Sequence, residues 1–412
     1  MKALNILIIG FVWPEPTTTA AGQRMLELIH FFLKQDCNIT FASTAKKNTF
    51  SYPLDSLGVA QKEISLNDSG FDLYLSDNKK DIVIFDRYLT EEQFGWRVAE
   101  NNPEALRILD TEDLHSLRNT RENAFKKGVP FTIENWKNNS VTKREIASIY
   151  RSDVSLIISS YEMQLLTKEL NINNSLLHHL PFLLKAKKVK KIPFEEREEF
   201  ICIGNGNHAP NKDAVIWLKK EIWPLIRKQL PEAMISIYGG HLPEQILQMH
   251  NPNQGFLVKG WAPSAIEVMR KARVNLAPLR FGAGLKGKLI TALQANTPSV
   301  TTAIGAEGFS TKHLELNGTI AETAKTIAAA AVELYSSKEA WNKAQEKGEK
   351  LLKKLSNKEK TEKEFFKKIE ETIQNLQEHR SSNFIGAMLQ QHTMASTKYM
   401  SKWIEAKNKK IE

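Results

Sequence analysis

The chain has 412 residues, 42% of them hydrophobic and 25% charged, which is ordinary for a soluble globular protein and argues against disorder throughout. That length leaves room for two sizeable cores. The formal net charge of +10 is compatible with a nucleic acid, an anionic membrane surface or an anionic substrate as partner.

The first apolar run, residues 4–10, is too short for the apolar region of a signal peptide with its cleavage site, and Trp13-Pro14 interrupts it. It reads as a buried first strand. No apolar run approaches the roughly 18 residues of a membrane span. The loop 13–23 is long for a strand-to-helix connection. Ala21 and Gly22 at the helix start would permit close approach of an acceptor or a phosphate, and Arg24 lies just inside the helix. A plain surface loop is the alternative. Met25, Leu26, Ile29, Phe32 and Leu33 follow at helical spacing.

Residues 81–85, 105–109 and 154–159 read as strands, with helical patterns such as 141–150 between them. Such alternation implies parallel sheets with crossover helices. The strand 105–109 leads into Asp110-Thr111-Glu112-Asp113-Leu114-His115-Ser116-Leu117-Arg118. Carboxylates at the C-terminal end of a strand sit where α/β proteins place catalytic groups. Asp110 and Glu112 resemble an acidic metal pair, with a helix N-cap as the plainer reading. His115 fits a base, a hydroxyl contact or a structural residue.

Residues 185–197 are rich in Lys and Glu and contain Pro193, the composition of a linker. The second half opens as the first did, with an apolar strand at 200–204, a polar loop, and a helix bearing Val215, Ile216, Leu218 and Trp223. The loop 204–212 is a candidate phosphate site by its position between strand and helix. Ala209 departs from a GxGxxG fingerprint, so a nicotinamide reading is weak, and a polar connecting loop is the alternative. Cys37 and Cys202 lie far apart and outside any CxxC pair. That argues against a disulfide scaffold or a Cys-based zinc site and fits a reducing compartment.

Further strands are expected at 234–238, 255–259, 274–278 and 298–302. The most informative stretch is Ala277-Pro278-Leu279-Arg280-Phe281-Gly282-Ala283-Gly284-Leu285-Lys286-Gly287-Lys288. A strand ends, a Gly-rich loop follows, and a helix begins near Lys286. Glycines let the backbone approach a bulky anion, and a helix start offers unpaired N–H groups and a positive dipole end. Lysine at a helix N-terminus opposes the dipole, so Lys286 and Lys288 point to an anion partner such as a diphosphate; a tight corner with solvated lysines is the alternative. Residues 322–376 are helical in pattern, and 381–412 form a weakly amphipathic helix or tail. Residues 341–412 hold 16 Lys and Arg against 10 Glu, a local balance of +6. No basic stretch is interleaved with aromatics as a single-strand-binding surface would be. A solvated Lys-rich helix surface or attraction to an anionic leaflet remains.

Residues 277–308, APLRFGAGLKGKLITALQANTPSVTTAIGAEG, closely resemble the nucleotide-binding signature of glycosyltransferase family 4, the retaining group 1 enzymes of GT-B fold. FICIGNGNHAPNKDAV, ISIYG and LVKGWAP precede it in the family's order, and NILIIGFVWPEP, AAGQR, RILDTEDLHSLR and SDVSLIISSYEMQLL resemble the acceptor-side elements. The resemblance covers roughly residues 4–375. It implies an α/β protein with two Rossmann-like, doubly wound domains facing across a cleft, 1–185 on the acceptor side and 186–376 on the donor side, with a helical extension over 377–412. It implies transfer of a sugar from a nucleotide-sugar donor, such as a UDP- or GDP-sugar, to a glycan, lipid-linked or other acceptor, with retention and without a metal or further cofactor. A cytoplasmic enzyme of cell-envelope polysaccharide synthesis, in peripheral contact with an anionic membrane and not with nucleic acid, fits this picture.

By position, the resemblance assigns Lys286 to the donor phosphates beside Gly282, Gly284 and Lys288, with Gly204, Asn205 and Lys212 in support. Lys259 and Trp261 fall near the base, Asp113 and His115 face the donor sugar as catalytic groups with Lys286, and Ala21, Gly22 and Arg24 lie on the acceptor side. The family commonly has two glutamates eight positions apart around this loop; here the matching residues are Ala283 and Thr291. Glu307 is the candidate to read the ribose instead. The missing glutamates also keep open a non-catalytic nucleotide-sugar-binding partner, and a GT-B-fold nucleotide-sugar epimerase is the third reading.

Overall fold

In both halves of the chain short apolar strands alternate with helices, and the computed structural model, which describes residues 3–184, 191–309 and 316–409, gathers them into two parallel sheets. Among the described residues the first sheet has seven strands: β1 (Asn5–Gly10), β2 (Asn38–Ser43), β3 (Ala60–Glu63), β4 (Ile82–Asp86), β5 (Leu106–Asp110), β6 (Val154–Ile157) and β7 (Leu177–His179), in the order β3-β2-β1-β4-β5-β6-β7. The second has six: β8 (Glu198–Ile203), β9 (Ile235–Tyr238), β10 (Phe256–Gly260), β11 (Ala272–Ala277), β12 (Ser299–Thr301) and β13 (Gly318–Ile320), in the order β10-β9-β8-β11-β12-β13. All the neighbouring strands pair in parallel. The expected α/β architecture, doubly wound sheets with a helical C-terminal region, is the one observed.

Strands β4, β5 and β6 are buried along their whole length, because helices cover both faces of a parallel sheet. In each sheet the strand order reverses beside the first strand, between β1 and β4 and between β8 and β11. Connections diverge there and leave a crevice at the carboxyl ends of the strands. The loop after β1 and the loops after β8 and β11 all open into that region.

The C-terminal helices divide between the two sheets. Ala324–Ser336 adds Ile327, Ala328 and Leu334 to the core of the second sheet. In Lys338–Leu355, Trp341 Nε1 donates to the Arg273 carbonyl at 2.8 Å. Helix Lys358–Gln374, expected with the second domain, instead inserts Phe365 and Ile369 into the core of the first sheet, with Phe365 5.0 Å from Phe31 between ring centroids. Burial of side chains of this size contributes about 1.5–3 kcal/mol each, which holds the crossing in place. Arg380 then clamps Asp153 at 2.8 Å and the carbonyls of Pro103 and Ala105, and helix Phe384–Lys409 continues across the first domain. Of the expected linker, residues 185–190 lie outside the described part, as do 410–412 of the tail.

Candidate active site

The loops of the two sheets meet around a cavity of about 620 Å³ lined from both sides. On the second domain, the loop after β11 carries Gly282 and Gly284 at φ +156° and +67°, values that favour glycine. At Gly284 a Cβ would also come within 2.8 Å of the Asp113 Cβ of the first domain. Helix Gly287–Gln294 follows with Lys286 as its N-cap residue, and no side chain caps it. Its start faces the start of helix Ala20–Leu33, so closely that a Cβ on Gly287 would lie 2.5 Å from that of Ala20. Two positive helix ends therefore converge on one space.

Lys286 is only 7% exposed. Its Nζ donates to the Gly284 carbonyl at 3.0 Å and lies 3.8 Å from Glu307. Burial lowers its pKa to about 8, against the pull of Glu307, so the ammonium is protonated at neutral pH. Lys288 Nζ donates to Asn211 Oδ1 at 2.9 Å, and burial lowers its pKa too. A solvated corner does not describe these lysines. Gly204 and Asn205 line the cavity after β8, and Asn205 Nδ2 reaches the Thr18 carbonyl of the first domain at 3.4 Å.

After β5, Asp113 accepts hydrogen bonds from Arg118 Nε at 2.7 Å and Nη2 at 3.2 Å, with His115 Nε2 at 3.2 Å. Burial works against the Asp113 carboxylate, but Arg118 and His115 hold its pKa below the usual range. Burial pushes His115 down to about 3 despite Asp113, so its imidazole is neutral near pH 7. Beside them Arg87 and Glu112 line the cavity at φ +72° and +60°, left-handed conformations that cost a side-chain-bearing residue about 1–3 kcal/mol and cluster at functional sites.

Several expected positions fall elsewhere. Arg24 does not face the cavity: its guanidinium takes both oxygens of Asp110 at 2.9–3.2 Å and the Leu180 carbonyl at 2.7 Å, in a pair exposed by 2% and 0%. Asp110 is thereby tied up and is not half of an open acidic pair. Gly22 lies under its own loop, where a Cβ would meet Glu15 backbone at 2.5 Å, while Ala21 does line the cavity. Lys212 and Lys259 are exposed and outside the lining, whereas Trp261 lines it and packs on Phe50 of the first domain at 5.6 Å. Glu307 is gripped by Arg121, Nη1 to Oε2 and Nη2 to Oε1 at 2.7 Å each, and is not a lining residue. Thr291 lines the cavity, but its hydroxyl donates to the Gly287 carbonyl of its own helix at 3.1 Å.

Two residues that sequence reasoning missed join the halves of the site. Arg121 also donates to the Gly282 carbonyl at 2.8 Å. Glu162 Oε1 accepts from Leu114 N at 3.0 Å and from Gly284 N at 2.8 Å, linking the Asp113 segment to the glycine-rich loop after β11. Glu162 is fully buried, and burial followed by the nearby Asp113 raises its pKa to about 8. Its one sequence signal was an acidic residue in the first turn of the short helix after β6.

With this geometry in view, residues 197–337 match the family model described as glycosyl transferases group 1. No curated protein matches the chain. Among solved structures, a sucrose-phosphate synthase from Thermosynechococcus elongatus superposes with a TM-score of 0.66 at 13% identity, over 88% of this chain and 98% of that one. Anabaena Alr3699/HepE in complex with UDP and glucose gives 0.62 at 9% identity, over 89% and 100%. WaaG, a glycosyltransferase involved in lipopolysaccharide biosynthesis, gives 0.57 at 10% identity, over 85% and 98%. The chain thus has the GT-B fold of these proteins, and its residues 197–337 match a group 1 glycosyl transferase domain.

Proposed function

We propose that the chain is a glycosyltransferase that moves a sugar from a nucleotide-sugar donor to a glycan or lipid-linked acceptor, with retention and without a metal. The observation that carries this is the phosphate loop: Lys286 buried at an uncapped helix start, with Lys288 beside it, in a cavity whose far wall holds Asp113 and His115. A preorganised cation there stabilises charge developing on a leaving diphosphate. The ionised Asp113 would stabilise positive charge on the donor sugar, and neutral His115 would hold a hydroxyl. Metal independence is supported by the lysines and by Arg24, which occupies Asp110. UDP in a protein of the same fold favours a uridine nucleotide, and the lipopolysaccharide role of another favours cell-envelope acceptors. Cys37 and Cys202 are buried free thiols, in keeping with a reducing, cytoplasmic compartment.

The test is turnover of UDP- and GDP-sugars by purified protein with and without EDTA, the product anomer being read by NMR. Loss of activity on chelation with recovery on Mg²⁺ would overturn metal independence, and an inverted anomer would overturn retention. One observation favours a second reading, a non-catalytic nucleotide-sugar-binding partner: neither Thr291 nor Glu307 offers a free group to the ribose. Donor binding without turnover or hydrolysis would select it, and release of a free epimerised sugar would select an epimerase.

A further inference from the structure

Among its described side chains, the last helix, Phe384–Lys409, buries one side. A Cβ on Gly386 would lie 2.2 Å from the Tyr150 carbonyl, Gln390 Nε2 donates to the Arg151 carbonyl at 3.1 Å, Ser401 is buried, and Glu405 accepts from Arg97 at 2.8 Å. At 3.6 residues per turn these positions share one sector of the helix. The opposite sector presents Phe384, Met388, Tyr399 and Trp403, with Ile385 and Met400 on its flank. Phe384, Tyr399 and Trp403 are 76%, 70% and 61% exposed. An ordinary surface helix turns such residues inward.

Charge selects what covers them. The helix has four lysines, Lys398, Lys402, Lys407 and Lys409, and one acid, Glu405, which is turned inward onto Arg97. Lys398 pairs with Glu100, Lys402 is exposed, and Lys407 Nζ stands 5.3 Å above the Trp403 ring. Aromatic rings and lysine stems together suit the boundary between acyl chains and anionic headgroups. No helix among the described residues is long and apolar enough to cross a membrane, so this one would lie on the surface. We propose that the outer face of helix Phe384–Lys409 docks the protein on an anionic lipid bilayer. The proposal stands apart from the transferase reading.

Co-sedimentation of the full chain with vesicles of phosphatidylcholine, alone or mixed with phosphatidylglycerol, tests it. Binding is expected only to the mixed vesicles and should weaken as salt rises. Each lysine at such a surface is worth about fivefold in partitioning, so Lys402→Glu with Lys407→Glu should lower binding by at least about twenty-five-fold. Tyr399→Ser with Trp403→Ser should lower it by about tenfold or more through lost interfacial burial. Both pairs are solvent-facing, and an unchanged melting curve confirms that they fold. Failure of the wild type to sediment with anionic vesicles overturns the proposal, as does undiminished binding by both double variants. A wild-type dimer that both variants convert to monomer in light scattering also overturns it, since the face would then join two copies.

Discussion

Removing the Lys286 ammonium should cost turnover, and the structure sets the scale. A unit charge about 4 Å from a phosphate oxygen, at an effective dielectric near 20, interacts by roughly 4 kcal/mol. Glu307 at 3.8 Å and the burial that lowers the Lys286 pKa to about 8 already offset part of that. The usable remainder, about 2–3 kcal/mol, corresponds to roughly thirty- to 150-fold in rate. Lys286→Met keeps the aliphatic stem and should lose that factor in nucleoside diphosphate release from the donor, with the fold intact by circular dichroism. The pH dependence supplies a second reading of the same charge. The free enzyme loses the Lys286 proton as pH rises through about 8, so kcat/KM should fall there. Lys286→Arg does not titrate in this range and should lose that alkaline limb even if its rate is lower. Turnover by Lys286→Met within about threefold of wild type, under 1 kcal/mol, would refute the assignment. A limb that survives in Lys286→Arg would belong to Glu162 instead.

Arg24→Ala should destabilise the protein by about 3–5 kcal/mol in urea unfolding, because it leaves Asp110 buried and unpaired, whereas an acceptor-binding arginine would change KM and leave stability alone. Thr291→Glu places a carboxylate where the present hydroxyl bonds its own helix; a charge-assisted bond to a ribose hydroxyl should tighten UDP binding by about tenfold or more in calorimetry. Glu162 is protonated in the folded chain up to about pH 8 but ionised in the unfolded chain above about 4.5. Its contribution to stability is therefore full below pH 4.5 and lost as pH rises toward 8. Glu162→Gln, which keeps an acceptor for Leu114 N and Gly284 N, should flatten that decline in urea titrations from pH 5 to 8. Arg121→Ala frees Glu307 and the Gly282 carbonyl together, and should lower both the unfolding midpoint and donor affinity.

What the sequence by itself determined is whatever neighbouring residues decide. Apolar runs such as residues 81–85 and 105–109 are strands because burial on both faces demands continuous hydrophobicity, and they appear as β4 and β5. The strands it passed over, β2, β3, β7 and β13, are mixed in polarity, or short, or both, so the parallel partner and not the local pattern makes them strands. The glycine-rich loop after β11 could be singled out because glycines, lysines and a helix start fall within a few residues of one another. The rest depends on pairs far apart in the chain. Arg24 finds Asp110 86 positions away, Arg121 finds Glu307 across 186, and Glu162 reaches Gly284 across 122. A charge read alone shows that it needs a partner, and only the folded sheets show which one it has. Two residues proposed for the site, Arg24 and Glu307, were thereby drawn into ion pairs, while Glu162, an unremarked helix residue, came to join the two domains. The crossing of helix Lys358–Gln374 back to the first sheet has the same origin: its apolar stripe fits any core, and tertiary packing against Phe31 decided which.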